Sequence, residues 1–274
     1  EDVGARLPER ALIALAGPVD EGRVKLTNRD WVVDSRRLSN TCGLLSVRLV
    51  NDYAAMARAI PELPDSAFRV LRAGEPDQDG RAPILVSGPG TGLGMATLIP
   101  VGSTGWKVLT GEGGHAAFAP HTLREWQLYE KLSHTYDYVS RELILSGSGL
   151  KAVHKALCEI DGVAWDEIPP GEMLKRARAG DPICRDICQI RARGTLYALG
   201  DAALMNGTRG GVVITGGVAE RLEEWLAEPE AIDRFLHRGP MSDYMTPIPI
   251  RLLLSGEAAL IGAAALYFDE GAPA

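Results

Sequence analysis

The sequence lacks long apolar runs and an excess of basic residues. No apolar run reaches the ~18 residues that a membrane-spanning helix needs, so no span is expected. The net charge is −7 at pH 7, which argues against a nucleic acid or a membrane surface as the partner. The first ten residues, EDVGARLPER, do not have the pattern of a signal peptide.

Cysteine is also sparse, with Cys42, Cys158, Cys184 and Cys188 scattered over 274 residues. A chain of this length needs no disulfides, so we expect reduced thiols and a cytoplasmic location. Cys184 and Cys188 would share one face of a helix, where a redox or metal pair is conceivable. Their spacing is neither C-x2-C nor backed by a second pair, which favours packed thiols instead.

The composition is that of a soluble globular chain, with 46% hydrophobic and 24% charged residues. The length suits one large or two modest domains. Segments typical of strands and helices alternate, which predicts an α/β fold. Five segments are each predicted to begin with an apolar strand that ends at a polar or glycine-rich tip. These segments are 11–19, 47–53, 83–88, 210–222 and 250–268.

The predicted helices differ in how clearly they are marked. The stretch 121–142 is amphipathic, with a possible capping box of Thr122 and Glu125 and with Leu123, Trp126, Tyr129 and Leu132 at helical spacing. Further helices are predicted at about 169–179 and 184–206 and at the ends of the segments 210–222 and 250–268. The last is rich in small residues, which predicts close packing. An exposed loop is predicted at 73–83.

The segment ILVSGPGTGLG (84–94) has glycine at four alternate positions. It fails the G-x-G-x-x-G fingerprint, because the sixth residue from either possible first glycine is Leu93 or Met95. It fails the P-loop pattern as well, because the nearest following lysine is Lys107. Two interpretations stay open: an anion-binding nest of backbone amides with the Thr91 hydroxyl, or a bare glycine-rich hairpin.

A second glycine pair, Gly216 and Gly217, separates a predicted strand from a helix. Bare backbone at this point lets a nucleotide base or ribose approach closely. Tight packing between strand and helix explains the same pattern. In open α/β sheets ligands lie beyond the carboxyl ends of the strands, so these tips are the candidates for chemistry.

Polar side chains occupy three other tips. Glu112 and His115 lie in GEGGHAAFAP (111–120), where they could bind a metal, relay a proton or bind sugar hydroxyls. Hydroxyl binding suits them best, because a carboxylate only accepts while an imidazole donates and accepts. A structural histidine is the alternative.

Asn51 and Asp52 end the strand VRLV, and Glu142 precedes LILSGSGL. Asp52 is either a turn former or a general base that takes a proton from an alcohol. Glu142 taken alone is a surface glutamate at a helix end.

The segments LAGPV, LTNRDW, VNDY, GPGTGLG, GEGGHAAFAP, RELILSGSGL and VVITGG, in this order, resemble bacterial ATP-dependent glucokinases of the hexokinase/actin-like superfamily. The resemblance runs from Ala11 to Tyr267. It implies a catalytic base at Asp52 and a sugar site formed by Asn51, Asp52, Glu112, His115 and Glu142. It also implies a phosphate loop at Gly90, Thr91, Gly92 and Gly94 and an adenosine site at Gly216 and Gly217.

The resemblance further implies an α/β two-lobed actin-like/ribonuclease-H-like sugar kinase fold with a cleft between the lobes. The small lobe would comprise 1–62 and 257–274, and the large lobe 63–256. The expected reaction converts glucose and ATP, with Mg²⁺, to glucose 6-phosphate and ADP. A homodimer is expected as well.

Two departures from related families affect these expectations. Repressor-type sugar kinases carry a cysteine-rich zinc motif after their histidine, whereas HAAFAPHTLREWQ has no cysteine, so zinc is not expected. The Asp-x-Gly-Gly-Thr hairpin with which the family opens is also missing. We interpret the Asp-Val-Gly at 2–4 as a chance match and expect an N-terminal part of the family's chain to be absent.

Two other functions stay open. A non-catalytic sugar-binding or regulatory protein on the same scaffold would keep Glu112, His115 and Glu142 and could dispense with the missing hairpin. A nucleotide-dependent oxidoreductase is suggested only by the glycine-rich tips, and the failed fingerprint disfavours it.

Overall fold

A computed structural model of the chain describes residues 8–26, 30–75 and 81–269. The chance match at 2–4 lies outside the described residues, as do the middle of LTNRDW and residues 76–80 of the loop predicted at 73–83. None of the helices in the described ranges is both long and apolar enough to cross a membrane.

The strands and helices alternate along the chain. The strands are β1 (Arg10–Leu15), β2 (Val19–Asp20), β3 (Arg23–Lys25), β4 (Val32–Asp34), β5 (Ser46–Asn51), β6 (Phe68–Arg72), β7 (Ile84–Pro89), β8 (Leu93–Val101), β9 (Gly105–Gly111), β10 (Gly211–Ile214) and β11 (Ile250–Leu253). The helices are α1 (Ser35–Cys42), α2 (Asp52–Ala59), α3 (Leu123–Ser133), α4 (Arg141–Leu145), α5 (Leu150–Asp161), α6 (Pro170–Arg178), α7 (Pro182–Asn206), α8 (Gly217–Arg221), α9 (Glu223–Leu226), α10 (Pro229–Leu236), α11 (Ser242–Met245) and α12 (Ala258–Asp269). Short 3₁₀ turns span Ile60–Glu62, Asp65–Ala67, Gly113–His115 and Gly239–Met241.

A six-stranded mixed sheet in the order β6-β11-β10-β7-β8-β9 forms the centre of the fold. Its strands β11, β10 and β7 are parallel, and the hairpin of β7 and β8 continues into β9 by antiparallel pairing. Strands β1 and β5 form a separate parallel pair. Strands β2, β3 and β4 form a small antiparallel sheet.

The large sheet is covered on both faces, because successive side chains of a strand point to opposite sides. Leu85 and Val212 join the large core beside the helices α3 to α7 and α10, whereas Val86 and Val213 join a second core beside α2 and α12. A third cluster links α2 and α12 to β5 through Val50. The helices α2 and α12 therefore lie between the large sheet and the β1–β5 pair.

Each strand predicted from an apolar segment is present, and so are the helices predicted near 169–179 and 184–206. The amphipathic stretch 121–142 is only partly helical, because α3 ends at Ser133 and α4 begins at Arg141. No helix was predicted at the position of α5.

The capping box of α3 is confirmed, but the buried face predicted for this helix is partly wrong. The Thr122 hydroxyl accepts from the Glu125 amide, and the Glu125 carboxylate accepts from the Thr122 amide. Leu123 and Trp126 are exposed, whereas Glu125 is buried and pairs there with Arg234 at 3.0 Å. A pairing between residues this distant in the sequence cannot be inferred from helical periodicity.

The interpretation of Cys184 and Cys188 as packed thiols is confirmed. Both are buried and free, and burial raises the pKa of each to about 12. A thiol with such a pKa carries almost no thiolate at neutral pH and is a poor nucleophile or metal ligand.

Helices α2 and α12 approach each other closely, as the small residues of the C-terminal segment predict. A Cβ atom on Gly262 of α12 would overlap the Ala55 carbonyl group of α2 and lie 2.9 Å from the Ala59 amide nitrogen. The contact is between two backbones, which cannot move apart as a flexible side chain could. The position therefore requires glycine.

We expect Gly262→Ala to lower the free energy of unfolding by about 1–3 kcal/mol, the usual cost of overpacking. This loss should outweigh the gain of roughly 1 kcal/mol that alanine brings to a helix interior. Gly171→Ala in α6 is the matched control, because a Cβ there meets nothing within 4 Å. Thermal or urea unfolding of both variants measures the difference, and equal stability would contradict the packing argument.

Candidate active site

A cleft of about 400 Å³ opens where β1, β5, β7 and β10 end, beside the β7–β8 hairpin and the turn after β9. It gathers all but one of the site residues predicted from the sequence: Asn51, Asp52, Gly90, Thr91, Gly92, Gly94, Glu112, His115, Glu142 and Gly216. Gly217 does not line the cleft and is instead the first residue of α8. Residues from five separate parts of the sequence therefore line one space.

Asn51 and Asp52 lie at the junction of β5 and α2. The Asn51 side chain caps α2 by accepting from the amides of Tyr53 and Ala54, and it donates to the Gly17 carbonyl oxygen at 3.1 Å. Its amide is thus held from two sides. The Asp52 carboxylate accepts from the Tyr53 amide at 2.9 Å.

Asp52 is half-buried, and this burial has an electrostatic consequence. Desolvation raises the pKa of Asp52 above its ordinary value, although the hydrogen bond from the Tyr53 amide acts in the opposite direction. A carboxylate with a raised pKa is a better proton acceptor than an ordinary aspartate.

Tyr53 ties α2 to the hairpin. Its hydroxyl donates to the Gly88 carbonyl oxygen at 2.6 Å, and its ring lies directly on Gly94, where a Cβ atom would overlap it. The position of Asp52 is therefore fixed relative to the glycine-rich segment. This explains Gly94, which pairs with Gly88 inside the hairpin ladder.

The tip of the hairpin consists of Gly90, Thr91 and Gly92. The Gly90 amide donates to the Gly92 carbonyl oxygen at 2.8 Å. The amides of Thr91 and Gly92 find no acceptor among the described residues. The segment is thus a β-hairpin whose tip offers two adjacent backbone donors, which is the arrangement that binds anions.

Helix α4 holds this tip from both of its ends. Near its start, the Glu142 carboxylate accepts from the Leu93 amide at 2.7 Å. Just after its end, the Gly147 amide donates to the Gly90 carbonyl oxygen at 2.8 Å, and the Ser148 amide donates to that of Thr91 at 3.1 Å. The interpretation of Glu142 as a plain surface residue is therefore wrong.

A Cβ atom on Gly92 would lie 2.6 Å from Glu142 Oε2, so a side chain at this position would displace the carboxylate. Gly90 has no such restriction, since a Cβ there meets nothing within 4 Å. Of the tip glycines, only Gly92 has a steric reason that the described residues supply.

His115 ends a 3₁₀ turn that begins after Glu112, and its amide donates to the Glu112 carbonyl oxygen at 2.9 Å. The imidazole Nε2 lies 3.9 Å from Glu142 Oε1. The structure thus brings the His115 ring close to Glu142, which is 27 residues later in the sequence. The His115 side chain is 55% exposed, so this wall of the cleft is open to solvent.

The two glycines after β10 have different surroundings. Gly216 has φ 102°, in the region that favours glycine, and a Cβ there would lie 2.7 Å from the Pro89 carbonyl oxygen. Close backbone packing therefore explains Gly216. A Cβ on Gly217 meets nothing within 4 Å, so packing does not explain the second glycine.

Several residues that line the cleft were not predicted from the sequence. They are Ala16, Gly17, Tyr53, Met56, Leu93, Met95, Gly111 and Thr215. Tyr53 could have been predicted from the sequence. It is an aromatic residue directly after Asn51 and Asp52, and the chain also contains a glycine-rich strand on which an aromatic ring can lie. Met56 and Met95 could not have been predicted as cleft residues, because their spacing matches that of ordinary core residues.

Comparisons with known proteins identify the family and relatives of the chain. The family model described as Glucokinase matches residues 1–270. A glucokinase of Chromobacterium violaceum is 39% identical over 272 residues, which cover 99% of this chain and 77% of that protein.

Two solved structures share the fold. A glucokinase from an Antarctic psychrotroph superposes with a TM-score of 0.81 at 33% identity, over 94% of this chain and 80% of that one. A ROK family glucokinase from Streptomyces griseus, solved in complex with glucose and AMPPNP, has a TM-score of 0.62 at 22% identity over 92% and 78%. The expected sugar kinase fold is confirmed.

We expect Asp52→Asn to unfold at a higher temperature than the unaltered chain at pH 7. Because the pKa of Asp52 is raised on folding, its protonation favours the folded state, and that contribution is lost as the pH rises through the raised pKa. Asparagine is neutral at every pH in this range, so it keeps this stabilising contribution at pH 7. The advantage should shrink as the pH falls towards about 3.9, the ordinary aspartate pKa.

Asp34→Asn is the control of opposite sign. The hydrogen bond from the Arg37 amide lowers the pKa of Asp34, so its carboxylate stabilises the fold above the ordinary aspartate pKa. Asparagine keeps the helix cap but removes the charge. Thermal unfolding measured between pH 4 and pH 7 should show the two variants diverging from the parent in opposite directions, and parallel shifts would contradict the assigned pKa directions.

Proposed function

The chain belongs to the glucokinase family, and on this basis we propose which of its residues transfer the γ-phosphoryl group of ATP to the 6-hydroxyl of glucose. Its reaction is the ATP-dependent phosphorylation of glucose, which gives glucose 6-phosphate and ADP. The observation that supports our assignment is the meeting of Asp52, Glu112, His115 and Glu142 in one cleft with the hairpin tip.

Asp52 is the general base of this proposal. It would accept the proton of the 6-hydroxyl as that oxygen attacks the phosphorus, and its raised pKa favours this role. Phosphoryl transfer otherwise depends on positioning and charge stabilisation. The hydrogen bonds of Asn51 and Tyr53 hold the start of α2, so they fix where the carboxylate lies.

Glu112, His115 and Glu142 would bind the other sugar hydroxyls, with Asn51 contributing its side-chain amide. A carboxylate accepts hydrogen bonds and an imidazole both donates and accepts, so the set matches an array of hydroxyl groups. Glu142 has one oxygen on the Leu93 amide and the other 3.9 Å from His115, so it adjoins both the sugar and the hairpin. A sugar that lacks one of these hydroxyls would leave a polar group of the site unpaired.

The ATP phosphates would lie against the hairpin tip. The amides of Thr91 and Gly92 have no acceptor among the described residues and therefore remain available to phosphate oxygens. Backbone donors suit this task because they are fixed in place before the substrate arrives.

The nucleoside would lie beyond the tip, towards Gly217. A cavity of about 460 Å³ begins at Gly147 and Ser148, which bond to the hairpin tip, and continues to Trp165 and Met173. Its lining is mostly apolar and includes a large aromatic ring, which suits a flat base.

Mg²⁺ is proposed as the companion of ATP. Within the described ranges no group of three His, Cys, Asp or Glu side chains is placed to hold a metal ion. Mg²⁺ needs no such cage, because it keeps several waters and binds through substrate phosphates with one or two carboxylates. Asp52 shares the cleft with the hairpin tip, so the residues fit an ion held mainly by the phosphates, whose negative charge it would neutralise.

Nothing in the cleft favours the alternative of a non-catalytic sugar-binding protein, and the family membership removes the oxidoreductase alternative. The division into a small lobe of 1–62 plus 257–274 and a large lobe of 63–256 stays a prediction, supported by the packing of α12 on α2 and β1. The homodimer and the cytoplasmic location also stay predictions.

Asp52→Ala is expected to lower kcat by roughly 10²–10⁴, the range for a lost general base. Glucose binding should stay within about tenfold, because the other hydroxyl ligands remain. A coupled assay of ADP formation measures kcat, and isothermal titration measures glucose binding. Asp65→Ala, which removes a carboxylate outside the cleft, is the control, and unchanged turnover in Asp52→Ala would remove this residue from its role.

Glu112→Gln is expected to raise the KM for glucose about tenfold or more while the KM for ATP changes less than about twofold. The amide replaces an acceptor oxygen with a donor, so one hydroxyl contact becomes unfavourable. The same coupled assay over a panel of hexoses measures both constants. An unaltered KM for glucose would place the sugar elsewhere.

A further inference from the structure

Helix α4 has only five residues, so it cannot hold its own conformation in isolation. It nevertheless presents Glu142 to the cleft and is followed directly by the residues that bond to the hairpin tip. Its position must therefore be set by what it packs against, and the long helix α7 supplies that support.

At the start of α4, the buried Arg141 donates from Nη2 to Oδ2 of Asp201 in α7 at 2.7 Å. A second guanidinium, that of Arg238, lies 3.8 Å from the other oxygen of Asp201. The carboxylate thus joins two cations in a largely buried setting, although desolvation raises the pKa of Asp201. Removing one partner of such a pair leaves the other charge uncompensated.

The backbone of Arg141 also pairs with the segment that follows His115. Its amide donates to the Ala116 carbonyl oxygen at 2.9 Å, and Phe118 donates in turn to Val139 at 3.0 Å. Residues 139–141 therefore pair with residues 116–118. A guanidinium anchored at this point fixes Glu142 on one side and His115 on the other.

The far end of α4 is attached to the same helix by a different contact. Arg191 of α7 donates from Nε to the Leu145 carbonyl oxygen at 3.1 Å. This second attachment leaves the phosphate side of α4 supported when the first is broken, so the two ends can be tested separately.

We propose that Asp201 is a positioning residue for glucose, which acts through Arg141 to hold Glu142 and His115 in their binding geometry. The inference rests on the proposed function, because it assigns Glu142 and His115 to the sugar. Asp201 does not line the cleft, so it would act on the sugar indirectly, through the Arg141 guanidinium at the start of α4.

The test compares Asp201→Asn with Asp186→Asn. Asp186 is the matched control, because it also lies on α7 and accepts from an arginine, Arg124, at 2.7 Å. It supports α3 rather than α4, and Arg124 keeps its second partner Asp161. Each substitution removes one carboxylate charge from the same helix.

Asp201→Asn is expected to raise the KM for glucose about tenfold, since small displacements of positioning groups are costly. The KM for ATP should change by a smaller factor, because the Leu145 end of α4 remains attached and the amides of Gly147 and Ser148 still bond to the hairpin tip. Asp186→Asn should leave both constants within about twofold. Equal changes in the two KM values, or no change in either, would overturn the proposal, because a purely structural role would not separate them.

A second variant covers the case in which Asp201→Asn does not fold. Arg141→Lys keeps a positive charge beside Asp201 but loses the planar guanidinium geometry. The same selective rise in the KM for glucose is expected, and an unchanged ratio of the two KM values would overturn the proposal.

Amide hydrogen exchange separates failure of this inference from failure of the proposed function. Residues 112–118 and 139–146 should exchange faster in Asp201→Asn than in Asp186→Asn, whether or not the protein phosphorylates glucose. Equal exchange rates would overturn the positioning role. An unaltered chain that forms no glucose-dependent ADP would overturn the proposed function instead.

Discussion

The hydrogen bond from the Leu93 amide to the Glu142 carboxylate is the contact on which the cleft depends. It joins the β7–β8 hairpin of the large sheet to the short helix α4, which lies almost fifty residues later in the sequence. Gly92 lies beside this hydrogen bond and leaves room for the carboxylate, which a side chain at that position would displace. The glycine-rich segment therefore reflects two needs at once, an open tip for an anion and room for a neighbouring acid.

The cleft combines rigid and exposed parts. Asp52 is fixed by the cap of α2 and by the Tyr53 ring lying on the hairpin, and its surroundings disfavour its charged form. His115 is mostly open to solvent. A group with a raised pKa beside an accessible binding wall suits a reaction in which substrate enters freely and the proton acceptor is prepared in advance.

Much of the fold and most of the site could be predicted from the sequence, because strand tips and glycine runs are local signals. Asn51 and Asp52 lie at the end of β5, Glu112 and His115 follow β9, and both strands end at the cleft. Contacts between distant segments left no such signal. The pairing of His115 with Glu142 and the burial of Glu125 against Arg234 depend on how helices pack, which periodicity does not encode.

The shared carboxylate of Glu142 has a thermodynamic consequence. One of its oxygens holds the hairpin, and the other faces His115 in the proposed sugar site. Under that assignment, a hexose that reorients this acid alters the hairpin's affinity for nucleotide, and nucleotide must alter the affinity for hexose by the same factor. Cooperativity between the two substrates would then arise from a single side chain that contacts both binding sites, without a conformational change elsewhere in the fold.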